Sequence, residues 1–521
     1  MSPRHSADPD AWWREGVLYQ IYPRSFFDAS GDGVGDLEGI LTKLDYLDNL
    51  GISGIWLSPV YPSPMRDFGY DISDYLNIDP LFGDLTIFDR LVSELHARGI
   101  RLIMDLVPNH TSNKHPWFKE ASSSRKSPMR GYYIWADPAP DGGPPNNWKA
   151  AFGGSAWTFH PETGQYYLHS FLPEQPDLDW KNPRIREEFK EIMRFWFDRG
   201  VDGFRIDVVH MLAKDPTLSD DPPSNPLAHV LYRPEVHEYV KDFRRVADEY
   251  EGRMLVGETF VFDIEYLLEF YGNGRDELHL AFNFPFALCG WNARFMSKTL
   301  EITLDKIPPG ARPCFMFSNH DLPRHALRFG EGSIKPACLL LLTIPGTPFL
   351  YMGEELGMLG NPPPVEQRLD PGGRDGARTP FHWNSSANAG FCAPDVRPWL
   401  PVSEEYETVN VETEEGDPHS VLSLYRRAIV FRNQSEALRL GDYSLLRSDD
   451  RLWVFRRWTR SEEVIVAVNM SADKAKVDLP KSFEGHVAIS TDLASLPESR
   501  LVSASLFLPG NSAVVLKRHT H

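Results

Sequence analysis

Polar residues recur where short apolar runs end. Asp105, Asn109 and His110 belong to IRLIMDLVPNH, Arg205 and Asp207 to VDGFRIDVV, Glu258 to RMLVGETF, and Asn319, His320 and Asp321 follow RPCFMF. A carboxylate or imidazole inside an apolar strand is costly to bury unless it is paired. One such residue is more often a structural hydrogen-bonding group; four strand ends carrying them at corresponding positions point to chemistry. Asp207, Glu258 and Asp321 together suit a retaining glycoside hydrolysis. That reaction needs an ionised carboxylate as nucleophile and a second carboxyl ~5–5.5 Å away that acts first as acid and then as base. Arg205 lies two residues before Asp207 on one strand, hence on the same face. A guanidinium there is expected to hold Asp207 ionised. Glu258 needs the opposite, a raised pKa, so that it enters the cycle protonated.

These residues can meet only if their runs are neighbouring strands. VLYQIYP, GISGIWLSP, IRLIMDLVP, VDGFRIDVV, RMLVGETF, ELHLAFNF, RPCFMFSN and TPFLYMGEE give eight candidates. Helical patterns separate several of them, around 39–50, 87–98 and 185–199. Strand followed by helix, repeated, reads as parallel βα units. Eight of them close a barrel whose active site lies at the C-terminal strand ends. The expected fold is therefore α/β: a (β/α)8 barrel over 1–108 and 181–440. A small inserted domain follows strand three at 109–180, where the rhythm breaks into Gly, Pro, Ser and aromatics. The helix VLSLYRRAIVFRNQ closes the barrel, and short strands between turns make 441–521 an antiparallel β domain.

Bulk properties narrow the function. A chain of 521 residues is long enough for one large barrel with smaller appendages. The net charge of −19 argues against nucleic acid or an anionic membrane as partner. Four scattered cysteines imply neither a disulfide framework nor a metal cage. The stretch Met1 to Glu15 is polar and no run reaches ~18 apolar residues, so no membrane span and a cytoplasmic location are expected. No serine elbow or phosphate loop is found, and no organic cofactor is expected.

DLVPNH, GFRIDVVH, GETF and FSNHD, in this order, resemble the four conserved regions of the α-amylase superfamily of glycoside hydrolases. QPDLDW resembles a fifth region of its oligo-1,6-glucosidase branch, with Asp179 where Asn is usual. DFGYDISDY and GRDGARTPFHW also resemble that branch. The resemblance implies Asp207 as nucleophile, Glu258 as acid/base and Asp321 as transition-state stabiliser. It implies that His110 and His320 bind hydroxyls of the same sugar, that Tyr70 stacks on it, and that Phe152 walls the pocket. Asp67 and Arg378 match a pair that clasps the far hydroxyls of the terminal sugar. Val208, directly after the nucleophile, matches members that accept α-1,6 bonds. His210 and His325 receive no role.

The loop Asp28-Ala-Ser30-Gly-Asp32-Gly-Val34-Gly-Asp36 places oxygen ligands at alternate positions around glycines, as a hard cation requires. Members of the branch bind Ca2+ or Mg2+ on such a loop; Ser30 stands where Asn is usual. Any ion there would be structural.

The reading is an exo-acting α-glucosidase that releases glucose from the non-reducing end of small α-linked disaccharides and oligosaccharides (α-1,6 and/or α-1,4), with transglycosylation beside hydrolysis, as a monomer or weak homo-oligomer. A glucosyltransferase or isomerase, such as a trehalose synthase or sucrose isomerase, keeps the same three carboxylates and is the alternative. The resemblance also extends to transporter subunits, but those have lost catalytic carboxylates and carry a membrane anchor.

Overall fold

The computed structural model describes residues 3–519. Each of the eight apolar runs forms a strand. In chain order the barrel strands are β1 (Leu18–Ile21), β2 (Gly54–Leu57) and β3 (Arg101–Leu106). After three strands of the insertion, β4 (Trp135–Ala136), β5 (Trp157–His160) and β6 (Gln165–Leu168), the barrel resumes. Its remaining strands are β7 (Gly203–Ile206), β8 (Met254–Gly257), β9 (Leu280–Ala281), β10 (Cys314–Phe315) and β11 (Thr347–Tyr351). The hydrogen-bonded order is β10-β11-β1-β2-β3-β7-β8-β9. All of these pairings are parallel, with Leu18 opposite Phe349 and Ile103 opposite Gly203. A single parallel bridge between Phe282 and Cys314 closes the ring.

Two apolar layers hold the barrel. Leu18, Trp56, Ile103, Val256, Phe282, Met316 and Phe349 form one buried cluster, while a larger one packs helices onto the strands. The helix Pro183–Asp198 shows why the sequence folds this way. Asn182 caps it by accepting from the Arg184 N–H, and Pro183 sits in the first turn, where its missing N–H costs nothing. Ile185, Phe189, Ile192, Met193 and Trp196 recur at three- and four-residue spacing, and all are buried. The pattern expected over 39–50 is instead two short helices, Leu37–Thr42 and Leu44–Leu50, broken at Lys43.

Between β3 and β7 the chain builds an antiparallel sheet of order β4-β6-β5. Its small core contains Trp148, Trp157 and Leu168. The chain after the helix Val421–Gln434 forms β12 (Asp442–Ser448), β13 (Leu452–Trp458), β14 (Glu462–Asn469), β15 (Ala475–Asp478), β16 (Glu484–Ser490), β17 (Leu501–Ser503), β18 (Ser505–Leu508) and β19 (Ser512–His519). A six-stranded sheet of order β12-β13-β14-β19-β16-β17 is accompanied by the pair β15-β18. All these pairings are antiparallel. Among the described residues no helix is long and apolar enough to cross a membrane.

Candidate active site

The chain just beyond six strand ends converges on one cavity of about 550 Å³, within the size range of small-molecule sites. Asp67 and Tyr70 come from the loop after β2, and His110 from the segment after β3. Asp207 and Val208 follow β7, Glu258 follows β8, Asp321 follows β10, and Arg374 comes from the loop after β11. The insertion contributes Phe152 and Phe171. The parallel ladder continues one step past the strands: Asp207 N–H donates to Leu106 O (2.8 Å) and Glu258 N–H to Ile206 O (2.9 Å). Both carboxylates are thus fixed by backbone. Gly257 makes this possible, since a Cβ there would lie 2.4 Å from a Leu278 methyl and 2.9 Å from Val209.

At the centre is Arg205, fully buried against the Trp56 ring. Its Nη1 donates to Asp105 Oδ1 (2.5 Å) and Asp207 Oδ1 (2.7 Å), and its Nη2 to Glu258 Oε2 (2.6 Å). Glu258 Oε2 also accepts from the Val208 N–H at 3.0 Å. That amide is aimed by a left-handed backbone at Val208, φ 36° and ψ 43°. This conformation is uncommon for any residue with a Cβ and rarer for a β-branched one.

One guanidinium shared by three carboxylates changes the expected protonation. Burial pushes Asp207 well above the ordinary carboxylate range, and Glu258, Asp105 and Asp321 add to this; Arg205 opposes it. Burial likewise raises Glu258, against Arg205, and takes Asp105 up to about 6. Asp207 is therefore not simply held ionised by its neighbour. Burial and the neighbouring carboxylates oppose the ionisation that Arg205 favours, and the three carboxyl groups are coupled through that one guanidinium. Asp321 behaves oppositely. Burial would raise it, but surrounding positive groups hold it well below the usual range. The groups that hold Asp321 down are His320, 3.2 Å from its Oδ2, and then Arg374, Arg378 and Arg205. Arg374 Nη1 and Arg378 Nη2 donate to Asp321 Oδ1 at 3.0 and 2.9 Å.

The pairing expected between Asp67 and Arg378 is made by Arg374. Arg374 Nη2 donates to Asp67 Oδ1 at 2.6 Å. Arg378, four residues on, is fully buried and faces Asp321, Asp370 and the His320 carbonyl. Residue type and spacing could not separate two arginines in GRDGAR; only the path of the loop does. Gln175 was also missed. Its Nε2 donates to Asp67 Oδ2 (3.0 Å) and lies 3.1 Å from His110 Nε2. It belongs to QPDLDW, so the motif was visible although the residue's part in it was not. Asp179 of that motif does not line the cavity and accepts from the Lys181 N–H in a turn.

Tyr70 lines the cavity, and its ring stacks on His320, centroids 5.3 Å apart and 7° from parallel. Its hydroxyl reaches His320 Nε2 (2.5 Å) and Asp105 Oδ2 (3.2 Å). Phe152 lies under the Arg374 guanidinium at 5.1 Å. His210 reaches the cavity, with Nδ1 3.2 Å from the Glu258 carbonyl. His325 lies elsewhere, beside Glu354.

In the loop Asp28–Asp36, Asp28 accepts from the N–H groups of Gly31 and Gly33, Asp32 from Val34, and Asp36 from Ala29, Ser30 and Gly39. Among the described residues no three His, Cys, Asp or Glu side chains gather closely enough to hold a metal ion. The loop offers oxygen atoms only, the donor type a hard cation takes.

The family profile for the α-amylase catalytic domain matches residues 20–441, and that for an α-amylase C-terminal domain matches 441–488. A probable alpha-glucosidase of Rhizobium meliloti (strain 1021) is 41% identical over 526 residues, covering 93% of this chain and 94% of the relative. An oligo-1,6-glucosidase of Parageobacillus thermoglucosidasius is 39% identical, covering 90% and 92%. Among solved structures, a trehalulose synthase variant in complex with Tris superposes with a TM-score of 0.92 at 36% identity, covering 97% of this chain and 100% of that one.

Proposed function

The chain belongs to the α-amylase family of glycoside hydrolases, and from that premise we propose that it is a retaining, exo-acting α-glucosidase releasing glucose from the non-reducing end of short α-glucosides. One observation carries this reading. A single guanidinium joins Asp207 and Glu258 in a cavity also lined by the Asp67–Arg374 ion pair. A chain end fits against such a pair, and a polymer running through does not.

In the proposed cycle Asp207 attacks the anomeric carbon while Glu258 gives its proton to the glycosidic oxygen. Burial raises the Glu258 carboxyl, which favours the protonated form that the first step needs. Asp321 stays ionised beside the sugar and grips hydroxyls as positive charge builds. His110 and His320 bind hydroxyls of the same ring, and Tyr70 lies against its face. Glu258 then takes a proton from water, which attacks the glucosyl ester and frees Asp207 with retention. The alternative is an isomerase or glucosyltransferase, favoured by the structural likeness to the trehalulose synthase variant.

The deciding experiment incubates the protein with maltose, isomaltose, sucrose and trehalose and follows the first products by proton NMR. The reading requires α-glucose. Initial β-glucose sinks the retaining assignment, internal cutting of starch sinks the exo assignment, and a new disaccharide in place of glucose supports the isomerase.

Val208 is proposed to favour α-1,6 over α-1,4 bonds, because its β-branched side chain takes space beside the second sugar while a 1,6 link can route around it. The loop Asp28–Asp36 is proposed to hold Ca2+ or Mg2+ through Asp28, Ser30, Asp32, the Val34 carbonyl and Asp36. The ion would stiffen the loop and take no part in bond breaking. Chelation should lower the Tm and leave kcat at ambient temperature unchanged; an unaltered Tm excludes a bound ion.

A further inference from the structure

The lower face of the barrel, where the strands begin, lies opposite the catalytic cavity and carries a pocket of about 340 Å³. The stretch before β1, the turn before β8 and the loops before β9 and β10 form it. Gly252 and Gly274 let these segments approach closely. A Cβ would lie 2.9 Å from the Pro9 carbonyl oxygen at the first and 2.8 Å from the Pro309 carbonyl oxygen at the second. Five arginines line the pocket, Arg14, Arg244, Arg253, Arg275 and Arg312, against two carboxylates, Asp10 and Asp248. The chain as a whole has a net charge of −19, so this gathering of positive charge runs against its composition. A concave site lined by one sign of charge focuses its field on a counter-ion.

Three of the arginines have counter-charges within the protein. Arg14 pairs with Asp8 at 3.2 Å, Arg244 with Asp248 at 2.7 Å and Arg253 with Asp202 at 3.3 Å. The other two do not. Among the described residues neither Arg275 nor Arg312 has a carboxylate within ion-pair distance. Arg312 Nη2 donates to the carbonyls of Arg439 (2.6 Å) and Gly346 (3.3 Å) instead. Burial takes the Arg312 guanidinium down to about 10; Glu15 opposes this, and Arg14 and Arg439 add to it. A buried guanidinium without a counter-charge is costly, and a bound anion would relieve it. His279 supplies a further donor. Its Nδ1 accepts from the Leu255 N–H at 3.1 Å and burial keeps the ring neutral, so its proton sits on Nε2. The Trp13 ring meets His279 edge-on at 5.3 Å and gives the pocket an apolar wall. The volume is that of a small-molecule site. We propose that this pocket binds a small phosphate-bearing anion, held by Arg275, Arg312 and His279. Guanidinium forks match the oxygens of such a group. The site is separate from the catalytic cavity and does not depend on the glucosidase reading.

The test titrates the full chain with inorganic phosphate, pyrophosphate and glycerol 3-phosphate by calorimetry. Ionic strength is held constant with sodium chloride, and Tm is followed alongside. At least one anion should bind at one site per chain with a Kd of about 1 mM or tighter, and should raise the Tm. Arg275→Glu, at an exposed loop position, should weaken that binding at least about tenfold and leave glucoside turnover without the anion unchanged. Arg312→Gln should act in the same direction. Tightest binding of glycerol 3-phosphate assigns an organic phosphate, and tightest binding of either other probe an inorganic one. Three results overturn the proposal: no saturable binding of any probe by about 10 mM, binding unmoved by Arg275→Glu, or binding lost when maltose fills the catalytic cavity of the Asp207→Asn variant.

Discussion

The two halves of the cavity are built on opposite principles. Around Asp67, Arg374, Asp321 and Arg205, the polar groups are cross-linked by charged hydrogen bonds. Around Phe260 and Leu227 the side chains are apolar and partly open to water. The first half can discriminate by single hydroxyls, because a buried polar group left unpaired costs its full desolvation penalty. The second can discriminate only by shape and contact area, which differ less between ligands. Strict recognition of one terminal sugar with tolerance of what is attached to it follows from that contrast.

The contrast orders the effects of substitution. Asp207→Asn removes the nucleophile, and kcat on any α-glucoside should fall on the order of 10⁴-fold or more, since the covalent step is lost; a variant retaining a tenth of the activity would show that another group forms the ester. Asp67→Ala and Arg374→Ala each remove a charged partner from the polar half. Each should lower kcat/KM on disaccharides at least about tenfold, as expected for charge-assisted hydrogen bonds of ~1.5–3 kcal/mol. If Arg374→Ala is silent, the pair does not clasp the substrate. At the border of the halves, Val208→Thr should shift the isomaltose-to-maltose ratio of kcat/KM toward maltose by roughly tenfold. An unmoved ratio assigns linkage preference to other residues.

The smallest effect concerns pH. Asp105 rises from 3.8 to about 6 on burial, so between those values the folded chain binds more protons than the unfolded one. Its contribution to stability is present below 3.8 and lost as pH rises to about 6. Asp105→Asn should therefore flatten the fall in Tm across this window, read by scanning calorimetry at constant ionic strength. An identical slope in both proteins shows that Asp105 does not titrate in this window.

The barrel strands were legible because each is a short apolar run ending in a polar motif. The chemistry was legible where one residue type at one strand end has one use, as for Asp207 and Glu258. What spacing hid was sharing. Nothing in the string GFRID reveals that Arg205 divides itself among Asp105, Asp207 and Glu258. Arg374 and Arg378 lie four residues apart and share Asp321 and Asp370, but only Arg374 reaches Asp67. Within 441–521, strands β17 and β18 are only three and four residues long, too short for their alternation to mark them as strands in the sequence. Lys43 breaks a helical pattern that the apolar spacing alone would continue.

The barrel's seam carries its own reporter. Strands β9 and β10 are two residues long, and their backbones meet in the bridge between Phe282 and Cys314. The Cys314 thiol is fully buried, unpaired, and donates to the Ala281 carbonyl across the seam at 3.0 Å. A thiol reagent can reach it only when the ring opens there, so its labelling rate under native conditions measures local opening. Cys338, equally buried in the helix Ile334–Thr343, supplies the reference for unfolding of the whole chain. Faster labelling of Cys314 than of Cys338 would identify β9–β10 as the place where the cylinder breathes, between the strand ends that deliver Phe284 and Asp321 to the cavity.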